Sequence, residues 1–239
     1  MPTITDKPRI LALDIARTLA LVCMAIFHFT FDLEMFAYLP WGTTTVGFWH
    51  YFPRIVAGSF LFLAGVSLYL AHGQGIRWRA FVKRFAVIAG AAVVVTVGSS
   101  YFNPQGTILF GILHCIAASS MIGLLFLRLP MAITLVIAAA AFALPWYVQH
   151  PSFNATGLLW LGLSTEKPWM MDYVPILPWI APFLAGLALA KRVGGRWPKV
   201  TPSRRVRILA FPGQHSLIVY LIHQPILIGL IWVYANVTG

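Results

Sequence analysis

ILALDIARTLALVCMAIFHFTFDL, residues 10–33, decides how the chain is read. At about 20 apolar residues per crossing it is long enough to span a bilayer, yet it carries Asp14, Arg17, His28 and Asp32. Ionisable groups inside a span are expensive, and each is a candidate for function. Asp14 and Arg17 stand three apart, on adjacent turns of one helix face, where they can pair. Arg17 and His28 are eleven apart. Eleven steps of 100° leave about 20°, so the two lie on one stripe, separated by about 16 Å of rise. Asp32, one turn beyond His28, is placed to accept its ring N–H and fix its tautomer.

The remainder of the chain has the same character. Of its 239 residues, 59% are hydrophobic and 10% charged, and mean hydropathy is +0.81. A water-soluble domain would carry about 25% charged residues. The apolar runs are continuous rather than alternating, which excludes an outer-membrane barrel. The spacing predicts an all-α polytopic bundle in one transmembrane domain over residues 1–239. About seven spans are expected: Ile10–Phe31, Phe52–Ala71, Phe85–Tyr101, Thr107–Leu127, Met131–Val148, Tyr173–Ala190 and Ser216–Tyr234. The first run has the basic lead of a signal peptide, Lys7 and Arg9, but it is long, polar and lacks a small-residue cleavage site, so it is expected to remain.

The net charge of +11 would suggest nucleic acid in a soluble protein. In a membrane chain it is first a topology signal, and no nucleic-acid partner is expected. With the N-terminus cytoplasmic, inner segments collect Lys7, Arg9, Arg77, Arg79, Lys83, Arg84, Arg128, Lys191, Arg192, Arg196, Lys199, Arg204, Arg205 and Arg207, fourteen of the 17 basic residues. The positive-inside rule thus gives N-in, C-out. The basic loops have a bland use, contact with anionic lipid, and a functional one, attraction of an anionic cytosolic cofactor.

Counting from helix ends places His114 in the outer half of the fourth span and His223 and Gln224 near mid-membrane. Asp172 and Tyr173 open the sixth span, and His50 lies in the outer loop before the second. His28, Asp32, His50, His114, Asp172 and His223 are therefore expected to converge on one outward cavity, with irregular segments Asp32–Tyr51 and His150–Asp172 over its mouth. A lone intramembrane His is equally a hydrogen-bonding strut, and His50, His72 and His150 also read as plain interfacial residues. Pro175, Pro178 and Pro182 predict a kinked start to the sixth span, and Pro225 a kink in the last. Cys23 and Cys115 have no pairing or metal spacing, and no metal site is expected.

Leu13-Asp14-Ile15-Ala16-Arg17, Met24-Ala25-Ile26-Phe27-His28-Phe29 and Asp32-Leu33 resemble the opening of the bacterial DUF1624 proteins, which are similar to the catalytic domain of heparan-α-glucosaminide N-acetyltransferase. Phe110-Gly111-Ile112-Leu113-His114-Cys115-Ile116-Ala117, Asp172-Tyr173-Val174-Pro175-Ile176-Leu177-Pro178-Trp179 and the stretch from Gly213 to Pro225 extend the likeness in order along the chain. The Arg17-to-His28 spacing also looks like the Arg-x10-His signature of the membrane acyltransferase-3 proteins. Where the family commonly has Gly after the first-helix arginine, this chain has Thr18.

The resemblance implies transfer of an acetyl or other acyl group from cytosolic acetyl-CoA to a hydroxyl or amine of a saccharide or envelope glycan, at the bacterial inner membrane. Asp14 and Arg17 would meet the anionic donor, whose pantetheine arm can cover the distance to His28. His28 would act as base or acyl carrier with Asp32 orienting it, and His50, beside Trp49 in the outer loop, or His114 would assist. Asp172, Tyr173, His223 and Gln224 would hold the acceptor. A homo-oligomer is compatible with this reading. The competing function for the same polar residues is a proton-coupled small-solute transporter or flippase.

Overall fold

The structure, a computed structural model, describes residues 10–198 and 200–238, except the side chain of Thr238. Lys7, Arg9 and Lys199, used above as topology signals, lie outside the described residues. The described residues form eight α-helices: α1 (Leu11–Met35), α2 (Gly47–His72), α3 (Trp78–Phe102), α4 (Ile112–Phe126), α5 (Met131–Ala143), α6 (Ile176–Val193), α7 (Arg204–Gln214) and α8 (Ser216–Thr238). Among the described residues there is no strand. Five helices, α1, α2, α3, α6 and α8, are long and apolar enough to cross a membrane, and the chain is a multi-pass membrane protein. The other two expected spans appear as shorter apolar helices of 15 and 13 residues, α4 and α5. Large apolar side chains such as Val94, Leu125, Val136 and Leu230 lie on the outside, at 63%, 74%, 68% and 63% exposure, which is the surface that hydrocarbon, rather than water, would meet.

Two differences from the expected boundaries have physical causes. The segment Asp32–Tyr51 is largely helical: α1 continues to Met35 and α2 begins at Gly47, so His50 lies in the first turn of α2 rather than in a loop. Between them the Glu34 carboxylate gathers the chain, accepting from Gly42 N–H at 2.6 Å and from Thr44 N–H and Oγ1–H, each at 2.8 Å. The second difference is α7, which falls in a stretch expected to be basic loop. Ser203 caps it by accepting from Val206 N–H at 3.3 Å, and its charge is concentrated in the first turn, Arg204, Arg205 and Arg207.

Two compact units make up the fold, dividing within α2. The first is built from the described parts of Met1–Val56 and Gly195–Gly239. In it α1 packs on α7 and α8. The α1–α7 contact is backbone on backbone: a Cβ on Gly213 would stand 1.8 Å from the Asp14 carbonyl oxygen. Thr18 joins this contact. Its hydroxyl accepts from Gly213 N–H at 2.9 Å and donates to Asp14 O at 3.2 Å.

The second unit, Ala57–Gly194, is organised around α6. Gly65 of α2 and Gly186 of α6 form a crossing in which a Cβ on either would meet the other helix's backbone, Phe183 O at 1.9 Å and Phe62 O at 2.0 Å. Small residues at membrane helix crossings permit this approach. Phe183, Leu184 and Leu187 are buried beside it. The α4–α5 turn is fastened to α6 by Lys191, whose ammonium donates to Phe126 O and Leu129 O, both at 2.6 Å, and to Thr134 Oγ1 at 3.0 Å. The expected kink at the start of the sixth span is present: Leu177 has non-helical angles, φ −101° and ψ 127°. By contrast α8 continues through Pro225 as one helix.

Candidate active site

The first unit holds a polar cluster between two apolar helices. From α1 come His28 and the fully buried Asp32, and from α8 come His223 and Gln224. The His28 and His223 rings meet edge-on, with centroids 5.0 Å apart and planes at 64°. Gln224 Nε2 donates to Asp32 Oδ1 at 2.7 Å. The pairing of Asp32 therefore differs from the sequence expectation: its carboxylate serves the amide of α8 and not the ring of His28. Spacing along α1 does place the two on one face, but Gln224, 192 residues later, competes for the carboxylate across the helix contact.

His223 has a defined tautomer. Its Nδ1 lies 2.5 Å from Tyr220 O; a carbonyl only accepts, so Nδ1 carries the proton and, in the neutral ring, Nε2 presents a lone pair. Among the described residues that Nε2 is buried without a hydrogen-bond partner, and so are Asp32 Oδ2 and Gln224 Oε1. Unpaired buried polar atoms are rare because each forfeits its hydration, and three of them here lie on neighbouring groups. His28, among the described residues, has ring contacts with Phe27 and His223 but no hydrogen-bond partner.

Toward the other end of α1, Asp14 and Arg17 form the expected ion pair, Oδ1 to Nη1 at 2.7 Å. Asp14 Oδ2 is buried and unpartnered. The pair sits against α7 through the Asp14–Thr18–Gly213 contact. His50 is tied to its own turn, its Nδ1 lying 3.1 Å from Thr45 O, and its carbonyl accepts from Arg54. Among the described residues no hydrogen bond or ring contact joins it to His28.

In the second unit His114, Asp172 and Tyr173 surround the start of α4. Gly111 N–H donates to His114 Nδ1 at 3.2 Å, so the ring proton is on Nε2. Thr96 Oγ1 gives its own proton to Ile108 O at 2.7 Å and accepts from His114 Nε2 at 3.2 Å. Both nitrogens are thus engaged in holding the turn, which is the strut role. Asp172 Oδ2 accepts from Ile112 N–H at 2.9 Å, where a carboxylate also faces the positive end of the helix. Burial nevertheless pushes its carboxyl up to about 6, against the lowering effect of that hydrogen bond. Tyr173 OH donates to Leu159 O at 2.7 Å. His72, expected at an interface, is 4% exposed and accepts from Arg77 N–H at 3.2 Å under the α2–α3 turn. Among the described residues no group of three or more His, Cys, Asp or Glu is arranged to hold a metal ion.

The Asp32–Gln224 pairing and the role of Thr18 were missed from sequence. Gln224 follows an intramembrane His directly, which was its only signal, and Thr18 had only its departure from the usual glycine.

No curated protein and no solved structure matches the chain. A family model described as "Heparan-alpha-glucosaminide N-acetyltransferase, catalytic" matches residues 9–225, from the start of α1 to just past His223 and Gln224. With the whole α1–α8 cluster inside a match of that extent, the chain belongs to the heparan-alpha-glucosaminide N-acetyltransferase catalytic-domain family.

Proposed function

We propose that the protein is a membrane acetyltransferase that moves an acetyl group from acetyl-CoA to a hydroxyl or amine of a saccharide, with the reaction at the α1–α8 cluster. The observation that carries this reading is the set of unpartnered polar atoms, Asp32 Oδ2, His223 Nε2 and Gln224 Oε1, beside His28 on apolar helices. Leaving such atoms unpaired is costly, and a bound polar substrate repays that cost.

The chemistry asked of these residues is modest. As the acceptor oxygen or nitrogen bonds to the acetyl carbon and the carbon–sulfur bond breaks, an imidazole takes the acceptor's proton, and the thiol leaves carrying a proton in turn. His28 or His223 supplies that imidazole. In a water-poor site a hydrogen bond or charge directed at the developing oxyanion is worth more than in water. Asp14 and Arg17, about 21 and 16 Å along α1 from His28, are proposed to face the anionic donor. His114, Asp172 and Tyr173 are proposed to act indirectly, by fixing the start of α4. The basic segments support a cytoplasmic N-terminus and a bacterial inner-membrane setting for this reading.

The test is acetyl transfer by the purified chain in nanodiscs, from radiolabelled acetyl-CoA to methyl α-glucosaminide. Wild type should give labelled product and free thiol in equal amounts, and Arg17→Ala should weaken calorimetric binding of CoA at least tenfold. Absence of both product and CoA binding at millimolar concentrations would overturn the reading.

A further inference from the structure

The α1–α8 cluster has a one-sided chemistry. In the neutral ring His223 Nε2 is an acceptor because Nδ1–H is committed to Tyr220 O. Asp32 Oδ2 is an acceptor while the carboxyl is ionised, and Gln224 Oε1 is one because the Nε2 side of the amide points at Asp32 Oδ1. All three are buried without partners among the described residues, so the three open positions of the cluster request hydrogen and offer none. An acetyl thioester brings only acceptors to such a lining, whereas the hydroxyl or amine of a sugar brings donors.

From this geometry we infer that His223, through Nε2, is the general base that touches the acceptor, and that Asp32 Oδ2 and Gln224 Oε1 hold the acceptor's neighbouring O–H or N–H groups. The inference rests on the acetyltransferase reading and deepens it. A base must have its lone pair aimed and its other nitrogen oriented, as a carboxylate or carbonyl does for a catalytic imidazole. His223 meets that requirement, with a carbonyl at 2.5 Å behind Nδ1. His28 has no hydrogen-bond partner among the described residues to fix its tautomer, and it meets His223 only ring against ring. The proton leaves the acceptor as its oxygen or nitrogen bonds to the acetyl carbon, resides on Nε2, and returns to the departing thiolate, so charge and atoms balance.

Two variants dissect the ring. His223→Gln keeps an acceptor atom near the position of Nε2 but removes its basicity, while His223→Asn keeps a donor toward Tyr220 O and removes Nε2 altogether. In nanodisc assays with methyl α-glucosaminide, kcat should fall at least about 100-fold in both. The KM for the acceptor should stay within about threefold in His223→Gln and rise in His223→Asn. A folded His223→Gln or His223→Asn with more than about a third of the wild-type kcat would overturn the assignment, whatever becomes of His28→Gln.

Binding is read separately, as the thermal shift of the full chain with methyl α-glucosaminide against its N-acetylated, O-methylated counterpart, which lacks most donors. Wild type should prefer the donor-bearing sugar at least tenfold, and Asp32→Asn, which places an N–H near Oδ2, should erase the preference. If wild type transfers no acetyl group but shows this preference and loses it in Asp32→Asn, the acetyltransferase reading and the base assignment fall while the donor-binding site stands. If the preference is absent or survives Asp32→Asn, the acceptor-only site falls, even with acetyl transfer intact.

Discussion

Replacing Gly186 with Ala tests the crossing on which the second unit depends. The added Cβ would lie 2.0 Å from Phe62 O, where ordinary contact begins at 3.4 Å. The difference, about 1.4 Å, must come from moving α6 off α2, since the obstacle is backbone and cannot rotate away. Overpacking a tight interior costs about 1–3 kcal/mol, and a backbone obstacle puts Gly186→Ala at the upper end, about 3 kcal/mol. At roughly 2–4 °C per kcal/mol for a chain of this size, the unfolding midpoint should fall by about 6–12 °C in detergent. Gly65→Ala, whose Cβ would meet Phe183 O at 1.9 Å, should cost the same. The double variant should cost little more than either one, because a single opening of the crossing relieves both contacts. Gly58→Ala and Gly90→Ala are the controls: their Cβ atoms would meet nothing within 4 Å, and each should stay within about 0.5 kcal/mol of wild type. A Gly186→Ala midpoint inside the range of those controls, or fully additive losses, would refute the reasoning.

Further outcomes follow from other contacts. Gln224→Leu removes the amide donor to Asp32 Oδ1 and should destabilise the chain by about 1.5–3 kcal/mol, read by denaturant unfolding in mixed micelles. Asp172 has its carboxyl raised to about 6 in the folded protein from 3.8, so the native state binds the extra proton. Stability should therefore be full below about pH 4 and decline as pH rises through about 6. Asp172→Asn keeps an oxygen for Ile112 N–H and should flatten that slope; an unchanged pH profile would remove Asp172 as its source. Lys191→Met removes the ammonium donor from Phe126 O, Leu129 O and Thr134 Oγ1, leaving Phe126 O with Leu129 N–H alone. It should cost at least about 2 kcal/mol and expose the α4–α5 turn to proteolysis. In ¹⁵N spectra of histidine-labelled protein, His223 should show the Nδ1–H tautomer and His114 the Nε2–H tautomer.

Local pattern carried the reading as far as local causes reach. The apolar runs placed seven of the eight helices, and the stripe on α1 foretold the Asp14–Arg17 pair because both partners are three residues apart on one helix. Helix α7 escaped because Arg204, Arg205 and Arg207 look like loop charge, although Ser203 was already a sound cap. His28 and Asp32 share one face of α1, but the partner of Asp32 is 192 residues away, and no periodicity reports a contact across helices. For His114 the contacts lie closer along the chain: Gly111 N–H donates to one ring nitrogen and Thr96 Oγ1 accepts from the other.

The Lys191 fastening has a further meaning for how the chain sits in lipid. Helices of 15 and 13 residues rise about 22 and 20 Å, well short of about 30 Å of hydrocarbon. Placed across a bilayer, a corner joining two such helices would be drawn beneath the headgroups, where water is not at hand to satisfy carbonyls. The Lys191 ammonium performs water's task there, taking Phe126 O and Leu129 O, while the exposed Arg128 is free to stretch toward the surface. In that setting the α4–α5 hairpin would be a hydrophobic mismatch with its corner carbonyls already satisfied, which predicts greater stability in short-chain lipids that thin to meet it.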